Sequence, residues 1–152
     1  MSGQKFPSVS SALCYRDPKA ALVWLEAAFG FEPTMVILMP DGSLAHSQMS
    51  FGDGMIMVGN EWSSDHASPA SIGRKNTQTV HVQLETDLDG HCEHARKAGA
   101  EILQEPETQF YGDRTYRARD PEGHIWTFGQ TVETMADGAW DGAMGTTTKT
   151  RL

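Results

Sequence analysis

The sequence predicts an α+β fold made of two tandem βαβββ modules, and three observations predict it. Strand-like and helix-like apolar periods occur in the order β-α-β-β-β, and that order occurs twice. The glycines that end the two helices, Gly30 and Gly99, are 69 residues apart; the turn glycines before the two fourth strands, Gly54 and Gly123, keep the same spacing. The chain has 152 residues, 39% of them hydrophobic and 21% charged, an ordinary composition for one compact structural domain. A chain of this length buries roughly two-thirds of its unfolded surface, so folding needs no staple.

Each element has a local cause. Ser8 to Tyr15 alternate and read as a strand. Asp17-Pro18 then starts a helix, with a capping carboxylate and a ring already at helical φ. Ala21, Leu22, Trp24, Leu25, Ala28 and Phe29 recur at helical spacing, and Gly30 supplies the stop. Thr34 to Met39 reads as a strand, Pro40-Asp41-Gly42 as a turn and Leu44 to Phe51 as a third strand. Gly52-Asp53-Gly54 leads into a fourth, Met55 to Gly59. A Ser-, Asp-, Pro- and Gly-rich stretch follows and reads as a linker or mobile loop. The pattern then returns with a strand at Thr79 to Glu85. Asp87 or Asp89 caps a helix whose buried stripe is Cys92, Ala95 and Ala98, and Gly99 ends it. Strands follow at Ala100 to Leu103, Gly112 to Arg119 and His124 to Gln130, the last two joined by Asp120-Pro121-Glu122-Gly123, where Asp120 bonds the turn backbone. The first module is set at 5–60, the linker at 61–77, the second module at 78–131 and a tail at 132–152. The tail's Met135, Trp140 and Met144 fit either a frayed end or packing on a partner subunit.

Charge and cysteine content restrict the partners. With 20 acidic against 12 basic residues the net charge is −8, which disfavours nucleic acid and anionic membrane and suits cationic ligands. Cys14 and Cys92 match no metal spacing, and Met1 to Phe6 is polar, without a signal core. No apolar run approaches a membrane span. The expected compartment is the reducing cytoplasm.

Two segments carry a family resemblance. Ala12-Leu-Cys-Tyr-Arg-Asp17, with Ala20-Ala21-Leu22 through Phe29-Gly30-Phe31, resembles the opening of a vicinal-oxygen-chelate module. Gln109-Phe-Tyr-Gly-Asp-Arg114 and Arg119-Asp-Pro-Glu-Gly-His-Ile-Trp-Thr-Phe128 resemble the close of one, most like the glyoxalase/bleomycin-resistance branch labelled PhnB-like. The resemblance covers about residues 5 to 131. It implies two curved mixed sheets around a shared cleft, helices outside, and a homodimer. In the family's enzymes it also implies a divalent metal held by four ligands, from the first and last strands of both modules.

Carried over residue by residue, that ligand set is depleted. His81 matches the family's histidine. Thr127 stands where the enzymes carry Glu, Ser10 or Ser11 stands on the first strand, and Val58 or Met57 on the fourth. A hydroxyl is a weak neutral donor, and Val or Met offers a hard ion nothing. His81 is thus the single matching ligand, and the chain is expected to hold no metal or other cofactor. His46, Glu61 and His124 are the residues from which a relocated site would be drawn.

Alternation then names the cleft. Val80, Val82 and Leu84 should meet the helices, leaving His81, Gln83 and Glu85 toward the ligand. His81 serves either as a base or donor to the ligand or as a structural imidazole. His46, Gln48 and Ser50 form the polar face of the third strand. Trp126 and Phe128 are expected as core, and Trp62 and Tyr111, in loops by strand ends, as stacking rings. Arg114, Arg117 and Arg119 either bind an acid of this chain or reach a ligand carboxylate or phosphonate. Cys14 is read as a small hydrophobe. The expected ligand contacts are His46, Gln48, Trp62, His81, Gln83, Tyr111, Arg114 and Thr127.

Three functions fit. The preferred one is metal-free binding of a small aromatic or cationic molecule, as in bleomycin resistance. The alternatives are a metal-dependent lyase, isomerase or dioxygenase acting on vicinal oxygens, and metal-free catalysis with His81 or Glu85 as general base. Fold alone does not decide between enzyme and binding protein.

Overall fold

The computed structural model describes residues 6–152. The polar start of the chain and the first residue of the first module fall on residues 1–5, outside the described ones. The elements are β1 (Ser11–Tyr15), α1 (Pro18–Phe29), β2 (Glu32–Leu38), β3 (Leu44–Phe51), β4 (Gly54–Asn60), β5 (Val80–Gln83), α2 (Leu88–Lys97), β6 (Glu101–Thr108), β7 (Asp113–Arg119), β8 (Ile125–Thr131) and α3 (Asp141–Met144). The β-α-β-β-β order thus occurs twice, as the sequence predicts. Asp17 caps α1 by accepting from the Ala20 N–H, and Gly30 ends it at φ 84°. Asp87, not Asp89, caps α2, accepting from the Gly90 N–H. Gly99 turns the chain beyond α2 at φ 101°.

Each module is one four-stranded mixed sheet. The orders are β1-β4-β3-β2 and β5-β8-β7-β6, with β1 parallel to β4, β5 parallel to β8 and all other pairs antiparallel. The largest departures from the expected strand lengths are at β1, β5 and β6. β1 and β5 begin later, where pairing with β4 and β8 begins. β6 runs on to Thr108 through Pro106, which lacks an N–H. An edge strand tolerates this, and the register slips there, between Gln104 and Glu107.

Both helices pack on one face of their sheets and on each other. Phe29 of α1 lies against Trp126 and Phe128 of β8, with ring centres 5.4 and 4.8 Å apart. Phe31 also meets Trp126. The two modules therefore share one core, whose largest members include Trp126, Tyr15, Tyr116 and Phe29. Polar groups tie the same joint. The Trp24 indole donates to the Ala98 carbonyl at 2.9 Å. His91 bonds the Phe29 carbonyl and His94 the Ala27 carbonyl. The Arg16 and Asp17 N–H groups donate to Glu122.

The segment between the modules is pinned by hydrogen bonds around a 3₁₀ turn at Pro69–Ser71. Ser68 donates its hydroxyl to Glu122 and its N–H to Glu61. Asn76 bridges the Gly123 carbonyl and the Ile125 N–H. The tail folds back on its own chain: Trp140 meets Phe110 edge-on at 6.0 Å, and Met144 stays exposed. No helix among the described residues is long and apolar enough to cross a membrane.

Candidate ligand-binding site

Strand alternation sorts each sheet into a helix-packed face and a helix-free one. In the second sheet Val82, Leu84, Tyr116, Ala118, Trp126 and Phe128 are buried toward the helices. Their neighbours therefore make the opposite face. Register aligns Gln104, Arg117, Thr127 and His81 in one row across all four strands. The His81 Nε2 lies 3.0 Å from the Gln83 Oε1. The Gln83 amide nitrogen donates to Asp113 at 3.3 Å and Thr131 at 3.2 Å. A carboxylate only accepts, so the amide nitrogen faces Asp113 and the amide oxygen faces His81. His81 then donates from Nε2 to that amide oxygen.

Gly129 forms the floor under this pair. A Cβ there would stand 3.0 Å from the Gln83 Oε1 and 3.2 Å from the His81 ring. Gly129→Ala is expected to displace both side chains while changing stability by under about 1 kcal/mol. The imidazole NMR signals of His81 report it; signals that stay in place would show that the floor does not position the ring.

The first sheet has a matching row, Ala12, Met57, Gln48 and Met35. The Gln48 amide nitrogen donates to His46 Nε2 at 3.1 Å. Between the modules runs an open groove of about 980 Å³, lined by Ser10, Ser11 and Met55 on one side and by His81, Gln83 and Glu85 on the other.

The expected contact residues divide into three groups. His81, Gln83 and Thr127 come together on the second sheet, and His46 and Gln48 on the first. Trp62 and Tyr111 stay in exposed loops: Trp62 lies on His66 at 4.1 Å and Tyr111 meets Phe110 edge-on. Of the eight expected contacts, His81 and Gln83 line the groove; His46, Gln48, Trp62, Tyr111, Arg114 and Thr127 do not. Arg114 goes to the helix side, because it shares a face with buried Tyr116 and Ala118. There it grips Asp89 with two bonds, at 2.7 and 3.1 Å, and holds that carboxyl below the ordinary aspartate range. Cys14 is half-buried, and burial with Glu61 nearby pushes its thiol up, away from nucleophilic use.

The structure selects one of the positions compared with the family's metal ligands and shifts another. Val58 is buried in the core, so of the two β4 alternatives Met57 is the one in register with the helix-free face. Met57 pairs with Ala12 as Thr127 pairs with His81, so Ala12 takes the β1 position in place of Ser10 or Ser11. The donor set is then one imidazole, one hydroxyl, one thioether and one methyl. It does not fit a divalent ion. The His81 Nε2, moreover, is a hydrogen-bond donor. Among the described residues one cluster has metal-binding side chains close together, Cys92, Glu93 and Glu105, and its two carboxylates are held by Arg96.

Arg117, unlike Arg114, shares the helix-free face with Thr127 and His81, but it does not line the groove. The signal for this lay in the strand itself: Tyr116 and Ala118 claim the apolar face, which sends Arg117 to the other.

Comparison with known proteins agrees with this architecture. The family model of the Glyoxalase/Bleomycin resistance protein/Dioxygenase superfamily matches residues 8–128. The uncharacterized protein Rv0887c of Mycobacterium tuberculosis is 29% identical over 130 residues, 83% of this chain and 75% of that one. TioX from Micromonospora sp. ML1 superposes with a TM-score of 0.64 at 29% identity, covering 82% of this chain and 98% of TioX. TnmS3, an antibiotic binding protein from Streptomyces sp. CB03234, shares the fold at a TM-score of 0.61 and 16% identity, over 86% of this chain and 98% of its own. With two βαβββ modules, the shared aromatic core and a match over most of its length, this chain belongs to the Glyoxalase/Bleomycin resistance protein/Dioxygenase superfamily.

Proposed function

We propose that this protein binds and sequesters a small aromatic molecule on its helix-free sheet faces, without a metal. The carrying observation is the donor set at the four aligned positions: Ala12, Met57, His81 and Thr127 supply no carboxylate and one imidazole. Met57, Met55 and Met35 offer instead a soft apolar surface that adapts to flat rings. Cys14 and Cys92 are both free thiols, which suits a reducing cytoplasm. Titration with a bleomycin-type drug, followed by tryptophan fluorescence, should saturate below about 100 µM, a range open to a pocket of this size. No response, or stoichiometric metal that is lost on His81→Ala, would turn the reading toward a metalloenzyme.

The same reading includes a homodimer. All seven residues of β2 are exposed, and Met35, Val36, Ile37, Leu38 and Met39 are 42–53% accessible. Four consecutive apolar residues on this edge strand, with Met39 just beyond it, are an association surface that a lone chain would blunt with charge. Ile37→Glu is expected to shift the sedimentation coefficient from dimer to monomer with unchanged circular dichroism. A wild-type chain that sediments as a monomer at 100 µM would refute the pairing.

A further inference from the structure

We propose that Arg117 is the anion-reading residue of the site, and that the bound molecule carries a carboxylate on its aromatic frame. This rests on the binding function proposed above and sharpens its ligand class.

Of the seven arginines, Arg74, Arg96, Arg114 and Arg119 each have a carboxylate within 4.0 Å. Arg16, Arg117 and Arg151 have none among the described residues, although the chain carries 20 acidic side chains, and of these three only Arg117 stands on a strand. Among the described residues its side chain makes one hydrogen bond, from Nε to the Thr127 hydroxyl at 3.2 Å. That bond fixes the guanidinium along the row toward His81 and leaves both terminal amino groups free. They form the planar fork that meets a carboxylate with two parallel bonds.

The neighbours reinforce this. Thr127 separates Arg117 from His81 across two strand spacings, about 10 Å, room for a one- or two-ring aromatic body. His81 is one end of the His81–Gln83–Asp113 chain, so Asp113 already accepts from Gln83. On β6, Glu101 is directed to Arg74 and Arg119 and Glu105 to Arg96, while Glu107, opposite Thr115, makes no ion pair with Arg117. The net charge of −8 points to a cationic ligand, but that field is spread over the whole surface. It is screened beyond about 8 Å in physiological salt. Contact at the fork decides at short range.

Three naphthalene probes of one shape test this: 2-naphthoate, 2-naphthalenemethanol and 2-naphthylmethylammonium, titrated by protein-observed NMR. The wild type should bind naphthoate about ten times more tightly than the alcohol. Arg117→Gln should erase that preference and leave alcohol binding unchanged. Arg117→Lys should restore part of it, since an ammonium lacks the fork. Arg114→Gln, on the helix side, should change nothing. If the alcohol or the ammonium binds as tightly as naphthoate, or if Arg117→Gln keeps the preference, the anion subsite is overturned while ligand binding stands. If none of the three binds at millimolar concentration, both fall together.

Discussion

Asp120→Ala is expected to lower the unfolding free energy by about 3–5 kcal/mol, because it leaves several buried donors unsatisfied at about 1–3 kcal/mol each. Asp120 is 2% exposed. Its Oδ1 accepts from the N–H groups of Glu122, Gly123 and His124 at 3.0–3.1 Å. Its Oδ2 accepts from the Tyr15 hydroxyl at 2.6 Å and the Trp126 indole at 3.1 Å. Alanine would leave five donors without this acceptor, four of them in buried residues. A domain of this kind has only about 5–15 kcal/mol in all, so the loss removes a large share. Asp120→Asn should cost less. Its amide oxygen keeps the three backbone donors, while its NH₂ must face the Trp126 N–H. Urea unfolding at pH 7.5 should rank wild type above Asp120→Asn above Asp120→Ala. A loss under about 1 kcal/mol for the alanine variant would show that the five bonds do not hold the joint.

Tyr15→Phe isolates the long-range part of that network. Tyr15 belongs to the first module and Asp120 to the second, and burial beside that carboxylate pushes the phenol well above its usual range. Removing one hydroxyl should cost about 1–2 kcal/mol. Coupling between Tyr15→Phe and Asp120→Asn, measured as a double-mutant cycle, should be nonzero because the two side chains touch.

Local punctuation made the fold readable from the sequence. Asp17-Pro18, Gly30 and Gly99 act within a few residues of themselves, and each sits where its chemistry requires. Asp120 was readable for the same reason, as an acid that bonds the next three N–H groups. Its bond to Tyr15 was not, because 105 residues separate the partners and no periodicity reports such a distance. The site shows the same limit. His81 and Gln83 follow from period-2 alternation, and so does the helix-side burial of Trp126 and Phe128. Arg114 was ambiguous until its strand had a register. Met57 and Ala12 emerge as the counterparts of Thr127 and His81 only from pairing, since a one-residue shift on β4 exchanges a core residue for a face residue. β6 runs past its expected end at Leu103, because an edge strand with slipped register tolerates Pro106 where a central strand would not.

His91 should make stability fall with acid. No strand or helix pattern singles it out, yet it sits at the joint of both modules. Its Nε2 is 2.9 Å from the Phe29 carbonyl, which only accepts, so the proton is on Nε2. Its Nδ1, 2.5 Å from the Tyr116 hydroxyl, therefore accepts from that group. Burial lowers the His91 pKa below its ordinary value, outweighing the carbonyl bond that raises it, and His94 adds a small repulsion. The group is depressed in the folded state, so the unfolded chain binds the proton more readily. Its contribution is then fully present above about pH 6.5 and lost as the pH falls through the folded-state value. His91→Leu should cost about 2–3 kcal/mol at pH 7.5, because the Phe29 carbonyl and the buried Tyr116 hydroxyl lose their partner. It should also flatten the fall in urea midpoint between pH 7.5 and pH 5.5. A wild type and a His91→Leu variant with the same slope over that interval would mean that the proton is taken up elsewhere.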